Sequence, residues 1–221
     1  GRPEASVDLA MFDLDGTLVA TAGEIGDAVN DTLVRFDLPA VSQVQVERWI
    51  GHGTRELLIQ ALASAGQTGV DVVRASGTLP LIAAEFDRHY QRRCGTRSQL
   101  YPQVRETLTA LRERGVKLAV VTNKERRYTA TVLDAHRLAP LFDRVVSGDT
   151  LPTKKPDPAG IQSCLSQFQV PPERALFVGD SSIDVATARH AGVRVWALPY
   201  GYNMGEPITA CEPDRVIDNL S

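Results

Sequence analysis

Two aspartates, Asp13 and Asp15, directly follow the apolar run VDLAMF and precede a Gly-Thr pair. Two more, Asp180 and Asp184, follow the apolar run ALFVG. Carboxylates that share one site repel each other and raise each other's pKa unless a cation lies among them. Oxygen ligands of this kind suit Mg²⁺, which takes one or two carboxylates and keeps several waters. These residue types therefore predict a metal-assisted site for phosphoryl transfer.

Three further polar residues follow or flank apolar runs. Thr122 and Asn123 come directly after VKLAVV, and Lys155 lies in KKPDP. In an open α/β sheet, ligands bind at the carboxyl ends of the strands, so residues that follow different strands share one crevice. A hydroxyl, an amide and an ammonium there could donate to phosphoryl oxygens. Taken singly, each is more typical of a strand end, a helix cap or the surface, so the prediction depends on their joint placement.

Short apolar, β-branched runs that alternate with helical patterns predict the scaffold. The predicted strands are residues 7–12, 116–121, 144–148, 175–179 and 193–198. They are nearly continuous in apolar residues, as in a parallel sheet covered on both faces. Residues 102–115 and 181–192 carry helix start and stop signals between strands. The fold class is therefore α/β, a doubly wound parallel (Rossmann-like) sheet.

The segment from Glu24 to Arg93 contains apolar residues at helical spacing and no convincing strand. Such a segment is far longer than an ordinary connection. It predicts an all-helical cap domain of residues 20–96, inserted after the first strand. Residues 1–19 and 97–221 then form the catalytic core.

Composition excludes several classes of protein. The net charge is −3, and the chain has neither a basic stripe nor an apolar run long enough to span a bilayer. We therefore expect neither nucleic acid nor a membrane as a partner. The expected partner is a small phosphorylated metabolite. The first eight residues lack the apolar centre of a signal peptide, and three scattered cysteines fit reduced thiols. We expect a cytoplasmic protein, as a monomer or a homodimer.

Four segments, DLDGT, VVTNK, KKPDP and VGDSSID, occur in this order and resemble the signature motifs of the haloacid dehalogenase superfamily. The resemblance covers essentially the whole chain and implies a hydrolase that uses Mg²⁺. It implies that Asp13 is the nucleophile, which forms an aspartyl-phosphate. Asp15 would protonate the leaving alcohol and then activate water, while Thr122 and Lys155 would hold the phosphoryl oxygens.

The same resemblance implies the metal ligands. Asp180 would bind Mg²⁺ together with the side chain of Asp13 and the backbone carbonyl of Asp15. Asp184 would contact a metal-bound water from the second shell. The Gly16-Thr17 turn would let the chain leave the first strand sharply and enter the cap.

Two segments, WIGHGTRELLIQAL at 49–62 and YGYNMGEP at 200–207, are similar to segments of bacterial phosphoglycolate phosphatases. This narrower resemblance implies 2-phosphoglycolate as the substrate. The chain departs from that pattern at Ala20, where a carboxylate is more usual. The departure concerns hydrogen bonding at the cap hinge and leaves the four core motifs intact.

The substrate's carboxylate needs a donor that the core motifs do not supply. The cap loop offers Gly51 and Gly53, which allow close approach of the backbone, and a following helix start with free N–H groups. His52 and Arg55 could add positive charge. Asn123, Thr122 and Lys155 complete the predicted substrate-binding set.

Other functions stay open from the sequence. A receiver-like signalling module also groups Asp, Thr and Lys around Mg²⁺, but it has no place for a helical insertion of this size. A catalytically inactive binding protein conflicts with the intact motifs. A phosphatase or phosphomutase of another metabolite, such as a sugar phosphate, would share the same core residues.

Overall fold

A six-stranded parallel sheet is the centre of residues 6–220, the part of the chain that this computed structural model describes. The strands are β1 (Leu9–Phe12), β2 (Val19–Ala20), β3 (Gln99–Leu100), β4 (Lys117–Val121), β5 (Arg144–Val146), β6 (Ala175–Gly179), β7 (Arg194–Ala197) and β8 (Arg215–Val216). The sheet has the order β5-β4-β1-β6-β7-β8, and β2 pairs with β3 in a separate antiparallel ribbon. The predicted parallel α/β fold is confirmed. The strands β2, β3 and β8 have two residues each and were not predicted from the sequence.

The helices divide between two stretches of the chain. Five of them, within the described residues, lie between β2 and β3: α1 (Ala22–Arg35), α2 (Gln43–Trp49), α3 (Thr54–Ala65), α4 (Val70–Ala75) and α5 (Leu79–Arg93). The others come later in the chain: α6 (Val104–Glu113) follows β3, and α7 (Arg126–Ala135), α8 (Ala159–Phe168) and α9 (Ser182–Ala191) follow strands of the sheet. Short 3₁₀ turns lie at Ala139–Leu141, Pro172–Arg174 and Ile208–Cys211.

The central strands are buried on both faces. In β1, Leu9 and Met11 belong to one hydrophobic cluster together with Phe177 of β6. The intervening Ala10 and Phe12 belong to a second cluster on the opposite face. Successive side chains of a strand point to opposite faces, so a strand covered on both sides needs an unbroken apolar run. This requirement explains why LAMF and ALFVG could be recognised from the sequence.

The helical segment between β2 and β3 packs through one apolar face of each long helix. Ile25, Val29 and Leu33 of α1 are buried, as are Phe86 and Tyr90 of α5. The chain enters and leaves this segment side by side, because β2 pairs with β3. The predicted helical content of the segment is confirmed, and its description as a separate cap domain stays a prediction. Residues 1–5 and 221 of the predicted core lie outside the described residues.

Two further structural findings bear on the sequence expectations. The three cysteines are free, and Cys94 and Cys164 are buried. In the described part of the chain, none of the helices combines the length and the apolar character needed to cross a membrane.

Candidate active site

A small cavity lies at the carboxyl ends of β1, β4 and β6. Its lining includes Asp13 and Asp15 after β1, Thr122 and Asn123 after β4, and Asp180 after β6. The helical segment closes the cavity with Ile25, Ile50, Gly51, Gly53, Thr54 and Leu57. The cavity volume is about 20 Å³, enough for a single water. The structure therefore brings the polar residues that follow three separate strands to one point.

Lys155 joins two carboxylates beside this cavity. Its ammonium lies 3.1 Å from Asp13 Oδ2 and 2.7 Å from Asp184 Oδ1. The other oxygen of Asp13 accepts a hydrogen bond of 2.7 Å from the backbone N–H of Leu14. Burial and the carboxylate of Asp184 raise the pKa of Asp13, and the charge of Lys155 opposes that shift. Burial opposes the charge on Lys155, but its two carboxylate neighbours raise its pKa overall.

Asp180 is held through both carboxylate oxygens. The hydroxyl of Thr17 donates to Oδ1 at 2.9 Å, and the backbone N–H of Tyr202 donates to Oδ2 at 2.6 Å. Burial, followed by the charge of Asp13, raises the pKa of Asp180 well above its ordinary value. Thr17 therefore does more than form a turn, because it fixes the orientation of a candidate metal ligand.

Glycines let the backbone approach Asp180 closely. Gly16 has a φ of +84°, and a Cβ there would lie 2.1 Å from Asp180 Oδ2. A Cβ at Gly201 would lie 2.3 Å from the carbonyl oxygen of Gly16. Neither position can carry a larger residue without displacement of Asp180 or of the turn after β1.

Asp184 lies in the first turn of α9 and belongs to the same acidic cluster. It forms a capping box with Ser181 and accepts a hydrogen bond of 3.0 Å from the backbone N–H of Asp180. One oxygen each from Asp13, Asp180 and Asp184 lies within 4.8 Å of the others, and all three residues are buried. Because Lys155 neutralises only part of their charge, these oxygens fit a hard divalent cation. That Asp184 contacts a metal-bound water rather than the metal itself stays a prediction.

The side chain of Asp15 is held by two donors that share one oxygen. Its Oδ1 accepts a hydrogen bond of 2.5 Å from the hydroxyl of Thr21 and lies 3.1 Å from Lys124 Nζ. The side chain of Lys124 is fully buried, and its ammonium lies 4.9 Å from the centre of the Tyr90 ring. Burial opposes the charge on Lys124, but the carboxylate of Asp15 raises its pKa above the ordinary value.

Thr122 and Asn123 order the loop after β4. The hydroxyl of Thr122 accepts a hydrogen bond of 3.1 Å from the backbone N–H of Lys124. The amide of Asn123 donates to the carbonyls of Gly51 and Lys155, at 2.9 and 3.0 Å, and accepts from the Lys155 N–H. Asn123 therefore connects the helical segment to the loop that carries Lys155.

The start of α3 is already occupied by a carboxylate. Glu125 accepts hydrogen bonds from the backbone N–H groups of Thr54 and Arg55 at 3.0 and 3.3 Å. The expectation that these N–H groups are free is therefore wrong in this conformation. Gly51 and Gly53 line the cavity, whereas His52 and Arg55 are exposed and lie outside its lining.

Sequence reasoning missed several residues that hold this arrangement. Lys124 and Glu125 adjoin the predicted Asn123, but their types alone did not show which carboxylate or N–H group each would meet. Thr21 lies where the chain enters the helical segment. Tyr202 lies in the YGYNMGEP segment, where a resemblance was noted but no contact with Asp180 could be foreseen. For these residues, the sequence offered no signal of a role in the site beyond their position beside a motif or a segment boundary.

Comparison with known proteins places this site in a family. Residues 10–198 match the family described as haloacid dehalogenase-like hydrolase, and the chain belongs to that family. It is thus an enzyme of a hydrolase family, and the predicted membership of the haloacid dehalogenase superfamily is confirmed.

Individual relatives of the chain have names that are narrower than that of the family. Phosphoglycolate phosphatase 1 of Pseudomonas aeruginosa is 42% identical over 96% of this chain and 76% of its own length. Phosphoglycolate phosphatase of Vibrio vulnificus is 38% identical, with 99% and 95% covered. The crystal structure of a predicted phosphoglycolate phosphatase from Haemophilus somnus 129PT aligns with a TM-score of 0.89 at 34% identity. That alignment covers 100% of this chain and 96% of the other.

Proposed function

We propose that this protein is a Mg²⁺-dependent phosphatase that forms a phosphoaspartate on Asp13. The observation that carries the proposal is the common cavity of Asp13 and Asp15, with Lys155 bound to the first and the acidic cluster beside it. A buried carboxylate next to an ammonium is suited to attack phosphorus, because the ammonium also attracts the phosphoryl oxygens. A second carboxylate at the same point can carry a proton.

In the first half of the reaction, an oxygen of Asp13 bonds to phosphorus as the bond from phosphorus to the leaving oxygen breaks. The proton of Asp15 passes to that oxygen, and the alcohol departs. In the second half, Asp15 takes a proton from a water that attacks the same phosphorus. The Asp13 carboxylate is then released together with inorganic phosphate. Thr122 and Lys155 are the proposed donors to the phosphoryl oxygens. Both N–H groups of the Asn123 amide already donate, to the carbonyls of Gly51 and Lys155, so Asn123 would join these donors only once its bond to Gly51 is broken.

The metal site is proposed to consist of Asp13, Asp180 and the backbone carbonyl of Asp15, with Asp184 beside it. When bound, Mg²⁺ would offset the negative charge of the carboxylates and of the substrate phosphate. The hydrogen bonds that Thr17 and Tyr202 donate to Asp180 support this assignment, because they fix the carboxylate in one orientation.

We propose 2-phosphoglycolate as the substrate. The similarity to phosphoglycolate phosphatases of other bacteria supports this choice, and so does the small cavity, which favours a compact leaving group. The cavity has room for about one water in this conformation, so we infer that the helical segment moves when the substrate enters. We therefore propose that residues 20–96 form a lid that opens and closes over the site.

The proposed contacts to the substrate's carboxylate are Gly51, His52, Gly53 and Arg55. Opening of the lid would separate Glu125 from the start of α3 and free its N–H groups for an anion. Arg55→Ala tests the contribution of the side chain. If Arg55 binds the carboxylate, kcat/KM for phosphoglycolate falls by about 10- to 100-fold in the variant, which corresponds to the loss of one hydrogen bond to a charged group. It then changes little for p-nitrophenyl phosphate.

A phosphate-release assay across small phosphorylated metabolites tests the proposed function. We expect Mg²⁺-dependent release that is fastest with 2-phosphoglycolate. Faster release from a sugar phosphate would overturn the substrate, and return of the phosphoryl group to a sugar would indicate a phosphomutase. If no phosphomonoester were hydrolysed, the proposed reaction itself would be wrong.

A further inference from the structure

Lys124 is a buried ammonium to which neither the motif resemblance nor the mechanism above assigns a task. It lines the cavity, and among the lining residues in the described part of the chain it is the single cation. Its side chain has an exposed fraction of 0%. A lysine is rarely buried to this degree unless a partner offsets the cost of removing its charge from water.

The partner of this ammonium is the proposed acid and base. Lys124 Nζ donates to Asp15 Oδ1 at 3.1 Å, and the hydroxyl of Thr21 donates to the same oxygen. Every hydrogen bond that the Asp15 side chain accepts within residues 6–220 goes to Oδ1. An oxygen that accepts two hydrogen bonds, one of them from an ammonium, is poorly suited to bind a proton as well. Oδ2 accepts no hydrogen bond from the described residues and is therefore the oxygen available to the reacting groups.

The ammonium is itself fixed from the other side by the helical segment. The face of the Tyr90 ring, on α5, lies 4.9 Å from Lys124 Nζ. A cation over an aromatic face is attracted to it, more strongly when both are shielded from water. Tyr90 is also packed against the rings of Phe86 and Tyr128. Lys124 therefore has little freedom to leave Asp15.

We propose that Lys124 is the positioning residue for Asp15. It holds Oδ1 so that Oδ2 carries the proton to and from the reacting oxygen. The inference rests on the proposed function, in which Asp15 is the acid that protonates the leaving alcohol. It gives Lys124 a task that differs from those of Lys155 and Arg55, because Lys124 acts through Asp15 and binds neither the phosphate nor the carboxylate of the substrate.

The test uses Lys124→Met, which keeps the length of the side chain and removes the charge, with three substrates. Phosphoglycolate and ethyl phosphate both release an alcohol that needs a proton, and only the first has a carboxylate. p-Nitrophenyl phosphate releases a stable phenolate that needs none. The quantity compared is kcat/KM, which covers only the steps through release of the alcohol or phenol.

We expect Lys124→Met to lower kcat/KM about 10- to 100-fold for phosphoglycolate and for ethyl phosphate alike, within the range of general acid catalysis. The loss for p-nitrophenyl phosphate is expected to be less than about threefold. Lys117→Met is the matched control, because Lys117 is exposed at the start of β4, the strand that precedes the loop with Lys124. It should leave all three values unchanged.

Two patterns would overturn the inference. An equal loss on all three substrates would mean that Lys124 merely maintains the fold. A loss on phosphoglycolate alone would make Lys124 a ligand of the carboxylate. If Lys124→Met does not fold, Lys124→Gln, which keeps an N–H donor, is measured in the same way with the same two contradicting patterns. Failure of the wild-type protein to hydrolyse any of the three substrates would instead count against the proposed function.

Discussion

The carboxylate of Glu125 accepts hydrogen bonds from both the backbone N–H and the side-chain hydroxyl of Thr54, at 3.0 and 2.6 Å. Glu125 precedes α7 beside the sheet, and Thr54 begins α3 in the helical segment. Two further bonds support this contact, from Asn123 to the carbonyl of Gly51 and from Lys154 to the carbonyl of His52. These contacts hold the helical segment over the cavity.

Glu125→Gln should weaken this closed arrangement. The amide keeps one acceptor oxygen but loses the charge that strengthens the bonds to α3, and hydrogen bonds to charged groups contribute roughly 1.5–3 kcal/mol. We expect the radius of gyration of the substrate-free protein to be larger than in the wild type. Small-angle X-ray scattering measures this change.

Glu113→Gln is the control for that experiment. Glu113 is exposed in α6, so this substitution removes the same charge at a place away from the cavity. Addition of Mg²⁺ and beryllofluoride, a phosphate analogue, should compact the wild type if its lid is partly open. A radius of gyration that is the same in Glu125→Gln and in the wild type would show that Glu125 does not hold the lid.

Asp13→Asn should abolish turnover and leave the fold intact. An amide cannot act as the nucleophile, whereas Lys155 keeps its second carboxylate, Asp184, as a partner. Because burial and Asp184 penalise the charge on Asp13, the variant should unfold at a temperature equal to or above that of the metal-free wild type. Enzyme assays and thermal unfolding in chelator check both statements. Substantial activity in Asp13→Asn would refute covalent catalysis by this residue.

The metal-free protein should become less stable as the pH rises. Burial and the charge of Asp184 raise the pKa of Asp13 from 3.8 to about 8, and the pKa of Asp180 is also raised. Between pH 3.8 and about pH 8, the folded chain therefore binds more protons at Asp13 than the unfolded chain does. The free energy of unfolding falls with increasing pH over this range. Thermal unfolding in chelator should therefore show a lower Tm at pH 8 than at pH 5.5.

Mg²⁺ should reverse that loss at pH 8, because a ligand that binds only the folded chain stabilises it. Asp180→Asn should show a smaller increase of Tm on addition of Mg²⁺ than the wild type. A Tm that is insensitive to Mg²⁺ at pH 8 in the wild type would contradict the proposed metal site.

Ca²⁺ should not replace Mg²⁺ in catalysis, whereas Mn²⁺ should. Ca²⁺ takes more ligands at longer distances, so it would misplace the Asp13 nucleophile relative to phosphorus. Competition of Ca²⁺ against a fixed concentration of Mg²⁺ should inhibit phosphate release. Full activity with Ca²⁺ alone would show that the geometry of the metal shell does not control the attack.

The sheet and the acidic residues at its edge were accessible from the sequence for a physical reason. A strand covered on both faces needs a continuous apolar run, and β1 and β6 both end where the first polar residues of the site begin. Asp13 and Asp180 could thus be placed together from chain order and strand ends alone. Pairing of β2 with β3 could not be foreseen, because two residues give no hydrophobic periodicity.

Side-chain contacts between distant segments were not accessible in this way. Lys124 and Glu125 are adjacent, yet one is buried against Asp15 and the other binds the start of α3. The sequence contains both charges but not the direction in which each side chain leaves the loop after β4. The same limit explains why the start of α3 was expected to be free, since Glu125 lies 71 residues away from Thr54.

The formation of phosphoaspartate on Asp13 is the central claim, and chemical trapping tests it most directly. The enzyme is mixed with Mg²⁺ and 2-phosphoglycolate, quenched during turnover, reduced with borohydride and digested for mass spectrometry. An acyl phosphate is reduced under these conditions, whereas a free carboxylate is not. The account predicts the reduced derivative at position 13, dependent on substrate and lost in chelator. Steady turnover with an unmodified Asp13, or with modification at another carboxylate, would contradict it.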